Sequence, residues 1–162
     1  MSEVVDVVEP SPGLWFEDLA VGQVYRSVAR TVTETDLTQF SMLSGDWNAI
    51  HSDVEFSKSS FYGQRVVHGV FGIALLTGLM DRAGWFAETA VGMVGIDGWR
   101  FGAPIFVGDT LHCEMEITST RMTSKGDRGI VGRLYRLINQ RGEVVQSGEM
   151  PAMILARPAV GS

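Results

Sequence analysis

Hydrophobic and polar positions change texture twice along this chain, and the changes outline its elements. Residues 23–32 set Val24, Val28 and Val32 among polar neighbours and predict a first strand. The period then becomes helical, with Leu37, Phe40 and Leu43 or Ser44 on one stripe. Thr33 stands where a helix is capped, Asp36 takes the reciprocal position of a capping box, and Glu34 adds negative charge to the first turn. Gly45 suits the stop. Residues 46–64 read as loop, with a short turn over 54–59 capped by Asp53. Residues 69–83 carry Val70, Phe71, Ile73, Ala74, Leu75, Leu76, Leu79 and Met80, apolar nearly all round, which predicts a helix buried on most sides and ended by Gly84.

The second change comes at Val91. From there residues 91–101, 111–122, 130–139 and 143–155 read as strands. Pro104 with Gly108-Asp109, then Lys125-Gly126-Asp127, then Gln140-Arg141-Gly142, supply the breaks. Turns this short predict an antiparallel meander. The expectation is an α+β domain in which an antiparallel sheet wraps one apolar helix.

The 162 residues suit a single domain over 14–157, with an N-terminal tail at 1–13 and a C-terminal tail at 158–162. Leu14-Trp15-Phe16 reads as an anchor onto that domain. A net charge of −6 argues against a nucleic-acid partner. An anionic ligand would need local cations, for which Arg65, Arg82, Arg100, Lys125 and Arg128 are available. Cys113 is the only cysteine, which excludes an intrachain disulfide and fits a reducing, cytoplasmic home. The acidic N-terminus lacks the pattern of a signal peptide. Residues 66–80, the longest apolar run, are too short and too interrupted for a membrane span.

The chemistry concentrates in Gly45-Asp46-Trp47-Asn48-Ala49-Ile50-His51-Ser52-Asp53 and in Val67-His68-Gly69. On a regular helix, residues five apart such as Asp46 and His51 point about 140° away from each other. They converge only if the segment between them is irregular, and Gly45 and Asn48 suit a loop. Converged, they could hold one water, with Asp46 accepting its proton and His51 orienting or relaying. Spacing alone favours a plainer reading, with Asp46 and Asn48 as turn residues and His51 a partly exposed loop histidine. Gly69 opens the apolar helix, so its N–H is a candidate donor to a carbonyl oxygen gaining negative charge. Close packing is the plainer role for Gly69, and a structural hydrogen bond the plainer role for His68. A metal held by Asp46, His51, Asp53 and His68 is a poorer reading, because the spacing matches no established metal motif. His112 and Cys113 are strand neighbours facing opposite ways, and Cys113 reads as core. P-loop, GxGxxG and GxSxG patterns are absent from the sequence.

Ser44 to Asp53, taken with Arg65-Val66-Val67-His68-Gly69-Val70, resembles the MaoC-like family of (R)-specific enoyl-CoA hydratases and dehydratases, whose pattern runs approximately S-x-D-x-N-P-x-H-x-D and then I/V-x-H-G. Phe16-Glu17-Asp18-Leu19-Ala20-Val21-Gly22-Gln23 and Pro104-Ile105-Phe106-Val107-Gly108-Asp109-Thr110 extend the likeness over most of residues 14–157. The resemblance implies a hotdog fold, usually paired as a homodimer or higher homo-oligomer. It implies an acyl-CoA substrate, a trans-2-enoyl thioester reversibly hydrated to an (R)-3-hydroxyacyl-CoA, with no metal or other cofactor required. Carried onto this chain, Asp46 and His51 would activate the water and move the proton, and the Gly69 amide would polarise the thioester carbonyl. Asn48, His68 and Thr77 would serve substrate binding, Asn48 by bracing the loop and Thr77 as a small hydroxyl facing the pocket. Ala49 departs from the family proline, which touches loop rigidity rather than a reacting group. A hotdog thioesterase and a non-catalytic acyl-CoA-binding subunit remain alternatives.

Overall fold

Local chemistry sets the helices where the sequence places them. The computed structural model describes residues 13–158; the expected tails lie outside the described residues, apart from Gly13 and Pro158. Helix α1 (Glu34–Ser44) begins with a closed capping box: Asp36 N–H donates to Thr33 Oγ1 at 3.3 Å and Thr33 N–H to Asp36 Oδ2 at 2.8 Å. Gly45, at φ 75°, ends it in the left-handed conformation that glycine adopts without strain. Two short helices follow, α2 (Ala49–Ser52) and α3 (Val54–Lys58), the second capped by Asp53 Oδ1 accepting from Phe56 N–H at 2.9 Å. Helix α4 (Gly69–Ala83) stops at Gly84.

The strands are more broken than their sequence suggests. Residues 23–32 divide into β1 (Val24–Arg26) and β2 (Arg30–Thr31). Between them Ser27 Oγ accepts from Cys113 N–H at 3.0 Å, replacing a ladder carbonyl so that the chain can bend away. Residues 91–101 become β3 (Ala90–Met93) and β4 (Asp97–Phe101). After β5 (Thr110–Met122) and β6 (Arg128–Ile138), residues 143–155 become β7 (Val144–Glu149) and β8 (Ala152–Leu155). Pro151 has no N–H for a ladder, and Met150 turns inward to exchange hydrogen bonds with Arg133. Val94 N–H donates to Pro151 O at 2.8 Å, so the two breaks lie side by side.

The eight strands form one antiparallel sheet in the order β1-β5-β6-β7-β4, with β2 on β5 and β8 joining β6 to β3. The meander holds through β5, β6 and β7 and fails at β4, which pairs with β7 from earlier in the chain.

Along β5 the alternation is regular. Leu111, Cys113, Met115 and Ile117 are fully buried and share one core with Leu75, Leu76 and Leu79 of α4. Each such leucine contributes about 1.5–3 kcal/mol by leaving water. Burial of α4 on most sides is corrected here: the sheet covers one face, while Val70 is 62% exposed and Ala74, Thr77 and Gly78 are open. Leu14 is buried, with Phe16 packed beside the core, as an anchor should be.

The turn before β5 is fixed by Asp109, which accepts from Phe106 N–H, Gln140 Nε2 and Arg141 Nη1 at 2.9–3.0 Å. Burial works to raise the Asp109 carboxyl, and these donors outweigh it, leaving the group below the usual carboxylate range. Ile105 in this turn accepts from Val67 N–H at 2.8 Å, which ties the turn to the approach to α4.

Candidate functional site

Between α1 and α4 the backbone is irregular where convergence requires it. After Gly45 the loop folds on its own side chains: Asp46 Oδ1 accepts from Asn48 N–H at 3.2 Å, and Asn48 Oδ1 from Ile50 N–H at 3.1 Å as the cap of α2. His51 therefore turns back toward Asp46, with Nε2 3.8 Å from Asp46 Oδ2.

The other nitrogen of His51 fixes its tautomer. Nδ1 lies 2.6 Å from Val66 O, a pure acceptor, so Nδ1 carries a proton, and in the neutral ring Nε2 presents its lone pair toward Asp46. His68 works beneath. Its Nε2 donates to the Asp46 backbone carbonyl at 2.9 Å, and its ring stacks on His51 with centroids 3.8 Å apart. His68 is 3% exposed and its Nδ1 has no hydrogen-bond partner among the described residues. Burial and bonding make His68 a brace for Asp46, in place of the substrate contact expected of it. Asn48 likewise spends its side-chain oxygen on the loop.

His51 and Gly69 line one cleft of about 320 Å³, with Val67, Phe101, Ile105 and Gln146 among its walls. Gly69 is the first residue of α4, and neither its N–H nor that of Val70 has a hydrogen-bond partner among the described residues. A Cβ at Gly69 would lie 2.9 Å from the Phe101 ring, so glycine keeps this approach open. The Asp46 carboxylate, 52% exposed, stands beside His51. The cluster thus offers two acceptors 3.8 Å apart, next to a helix end with open donors.

Several expectations fall elsewhere. Thr77 is exposed, donates to Ala74 O at 2.7 Å and lines a separate hollow with Met80 and Phe86. None of the five cations lines the cleft: Arg65 pairs with Glu34 and Arg128 with Asp127. Cys113 is core, its thiol pushed up to about 11 by burial. Asp46, His51 and His68 each bring one ligand atom within 4.8 Å of the others, the spacing of a cation site; Asp53 is outside the group and caps α3. His68 Nε2 is already bonded to Asp46 O, which leaves an incomplete donor set at that position. Nothing in the sequence marks Gln146, because a lone glutamine in a strand carries no periodic or motif signal.

Comparison with known proteins gives this geometry its relatives. A family model for the MaoC-like domain matches residues 17–136. Protein MaoC of Klebsiella aerogenes is 35% identical over 70% of this chain, which spans only 33% of that protein's length. An (R)-specific enoyl-CoA hydratase of Aeromonas caviae is 28% identical, over 82% of this chain and 93% of its own. The solved MaoC-like dehydratase of Rhodospirillum rubrum, 28% identical, superposes with a TM-score of 0.78, covering 91% of this chain and all of that one. An antiparallel sheet with one long helix packed against it is the hotdog fold described among such structures. The chain belongs to the MaoC-like domain family.

Proposed function

We propose that this chain is a hydro-lyase that reversibly adds water across the double bond of a trans-2-enoyl-CoA, giving an (R)-3-hydroxyacyl-CoA. One observation carries the reading: His51 Nε2 and Asp46 Oδ2 are two acceptors 3.8 Å apart, and His51 shares a cleft with the open Gly69 N–H. A water at hydrogen-bonding distance from both would donate both its hydrogens, leaving an oxygen lone pair free for carbon 3 of the enoyl group. As the C–O bond forms, one water proton passes to the Asp46–His51 pair and the π electrons move toward the thioester oxygen. Gly69 N–H stabilises that oxygen, and one such donor is worth about 3–4 kcal/mol of barrier. A proton from the pair then reaches carbon 2, so water is added in full.

The likeness to the Aeromonas hydratase supports the thioester substrate. We place a second copy of the chain as partner, because Phe61 is 97% exposed at the cleft and Val91, Met93, Val94, Ile96 and Phe101 are exposed along β3, β4 and the connection between them. No helix among the described residues is long and apolar enough to cross a membrane. The test is incubation with crotonyl-CoA and longer enoyl-CoAs, followed by the enoyl ultraviolet absorbance, free CoA and chiral analysis of product. Loss of absorbance with (R)-3-hydroxyacyl-CoA and no free CoA is expected. Release of free CoA would replace hydration by thioester hydrolysis.

A further inference from the structure

Gln146 is a polar side chain in the core, 2% exposed, on β7 between its partners Leu137 of β6 and Phe101 of β4. A buried amide costs free energy unless both its ends are bonded. Here both are. Nε2 donates to Gly69 O at 2.9 Å, and Oε1 accepts from Trp99 Nε1 at 3.2 Å. The neighbours fix the amide's orientation, since a carbonyl can only accept and an indole N–H can only donate. The fit is close: a Cβ at Gly72 would lie 2.3 Å from Gln146 Nε2, so the first turn of α4 rests on this amide through Gly69 and Gly72.

Gly69 needs such a support. Glycine has the widest backbone freedom of any residue, and a helix's first turn lacks the hydrogen bonds that restrain its interior. On one side of Gly69, the His68 ring is held by the Asp46 carbonyl. On the other, the Gly69 carbonyl is held by Gln146, itself held by Trp99. We propose that Gln146 is a positioning residue for the reaction: with Trp99 it fixes the Gly69 backbone, so that the open N–H groups of the first turn of α4 face the thioester oxygen. This rests on the hydratase reading above. Gln146 touches no reacting atom in this role and acts through Gly69.

The test uses Gln146→Met, which keeps the volume and removes both hydrogen bonds, and Trp99→Phe, which removes only the N–H that holds Gln146. Butyryl-CoA labelled with ¹³C at its carbonyl, saturated and therefore inert to hydration, is the spectroscopic probe; crotonyl-CoA is the substrate. In the wild type the bound carbonyl stretch should fall below its free value. In Gln146→Met it should return toward that value while butyryl-CoA still binds, and kcat on crotonyl-CoA should drop about 10- to 100-fold with KM changed less than about threefold. Trp99→Phe should give a smaller change in the same direction, and it carries the test if Gln146→Met does not fold. A wild-type carbonyl shift that persists unchanged in the folded variants, with kcat intact, overturns the role of Gln146 alone. A bound wild-type carbonyl with no shift, or a wild type that hydrates no enoyl-CoA, overturns the hydratase reading itself.

Discussion

The two ends of α4 are built to opposite rules. At the C-terminal end the chain packs backbone onto backbone: Gly84 N–H donates to Asp81 O at 2.9 Å, Gly13 N–H to Gly84 O at 3.0 Å, and Leu14 N–H to Trp85 O at 2.8 Å. Thr89 Oγ1, fully buried, closes the arrangement on Leu14 O at 2.6 Å. At the N-terminal end the N–H groups of Gly69 and Val70 are open, and the side chains of His68 and Gln146 hold the carbonyls of Asp46 and Gly69. Each end keeps one buried ring nitrogen without a partner among the described residues, Trp85 Nε1 and His68 Nδ1, so the contrast lies in the backbone. Gly69 and Val70 are exposed, so their open donors are free to take water or a ligand. One end ties the helix to the rest of the chain; the other leaves donors open beside the cleft.

The largest expected effect breaks the open end. Asp46→Asn keeps an oxygen for Asn48 N–H and removes the base, so kcat on crotonyl-CoA should fall about 10²–10⁴-fold. The carboxylate is half exposed, so thermal unfolding should barely change. A smaller effect, opposite in kind, comes from the closed end. Thr89→Val deletes the hydrogen bond to Leu14 O from a buried site and should cost about 1–3 kcal/mol in urea unfolding, with kcat unchanged. A fall in kcat from Thr89→Val would mean that the two ends are coupled and the division is wrong.

The sequence made α1 and α4 readable because their ends are written in single residues: Thr33 with Asp36, and the two stops Gly45 and Gly84. The strand breaks were harder. Pro151 marks one, but the inward turn of Met150 depends on Arg133, which lies on another strand. Exposure of one face of α4 was hidden for a similar reason, since composition tells how apolar a helix is and not how many sides a sheet covers. In the site, Asp46, His51 and Gly69 could be named from residue type and motif. Their meeting depends on the turn made by Gly45 and Asn48, which spacing allows and does not dictate. Thr77 followed the motif's logic along the helix and faces a different hollow. Gln146 acts through two distant partners, Gly69 and Trp99, and no local pattern announces it.

The central claim is that Asp46 and His51 act on one shared water. A double-mutant cycle on crotonyl-CoA hydration, with Asp46→Asn, His51→Ala and the pair together, tests it most directly. A shared water predicts that the double variant loses hardly more kcat than the worse single variant, because either change already removes the unit. Losses that multiply would show two groups working independently, and the shared water would have to be given up.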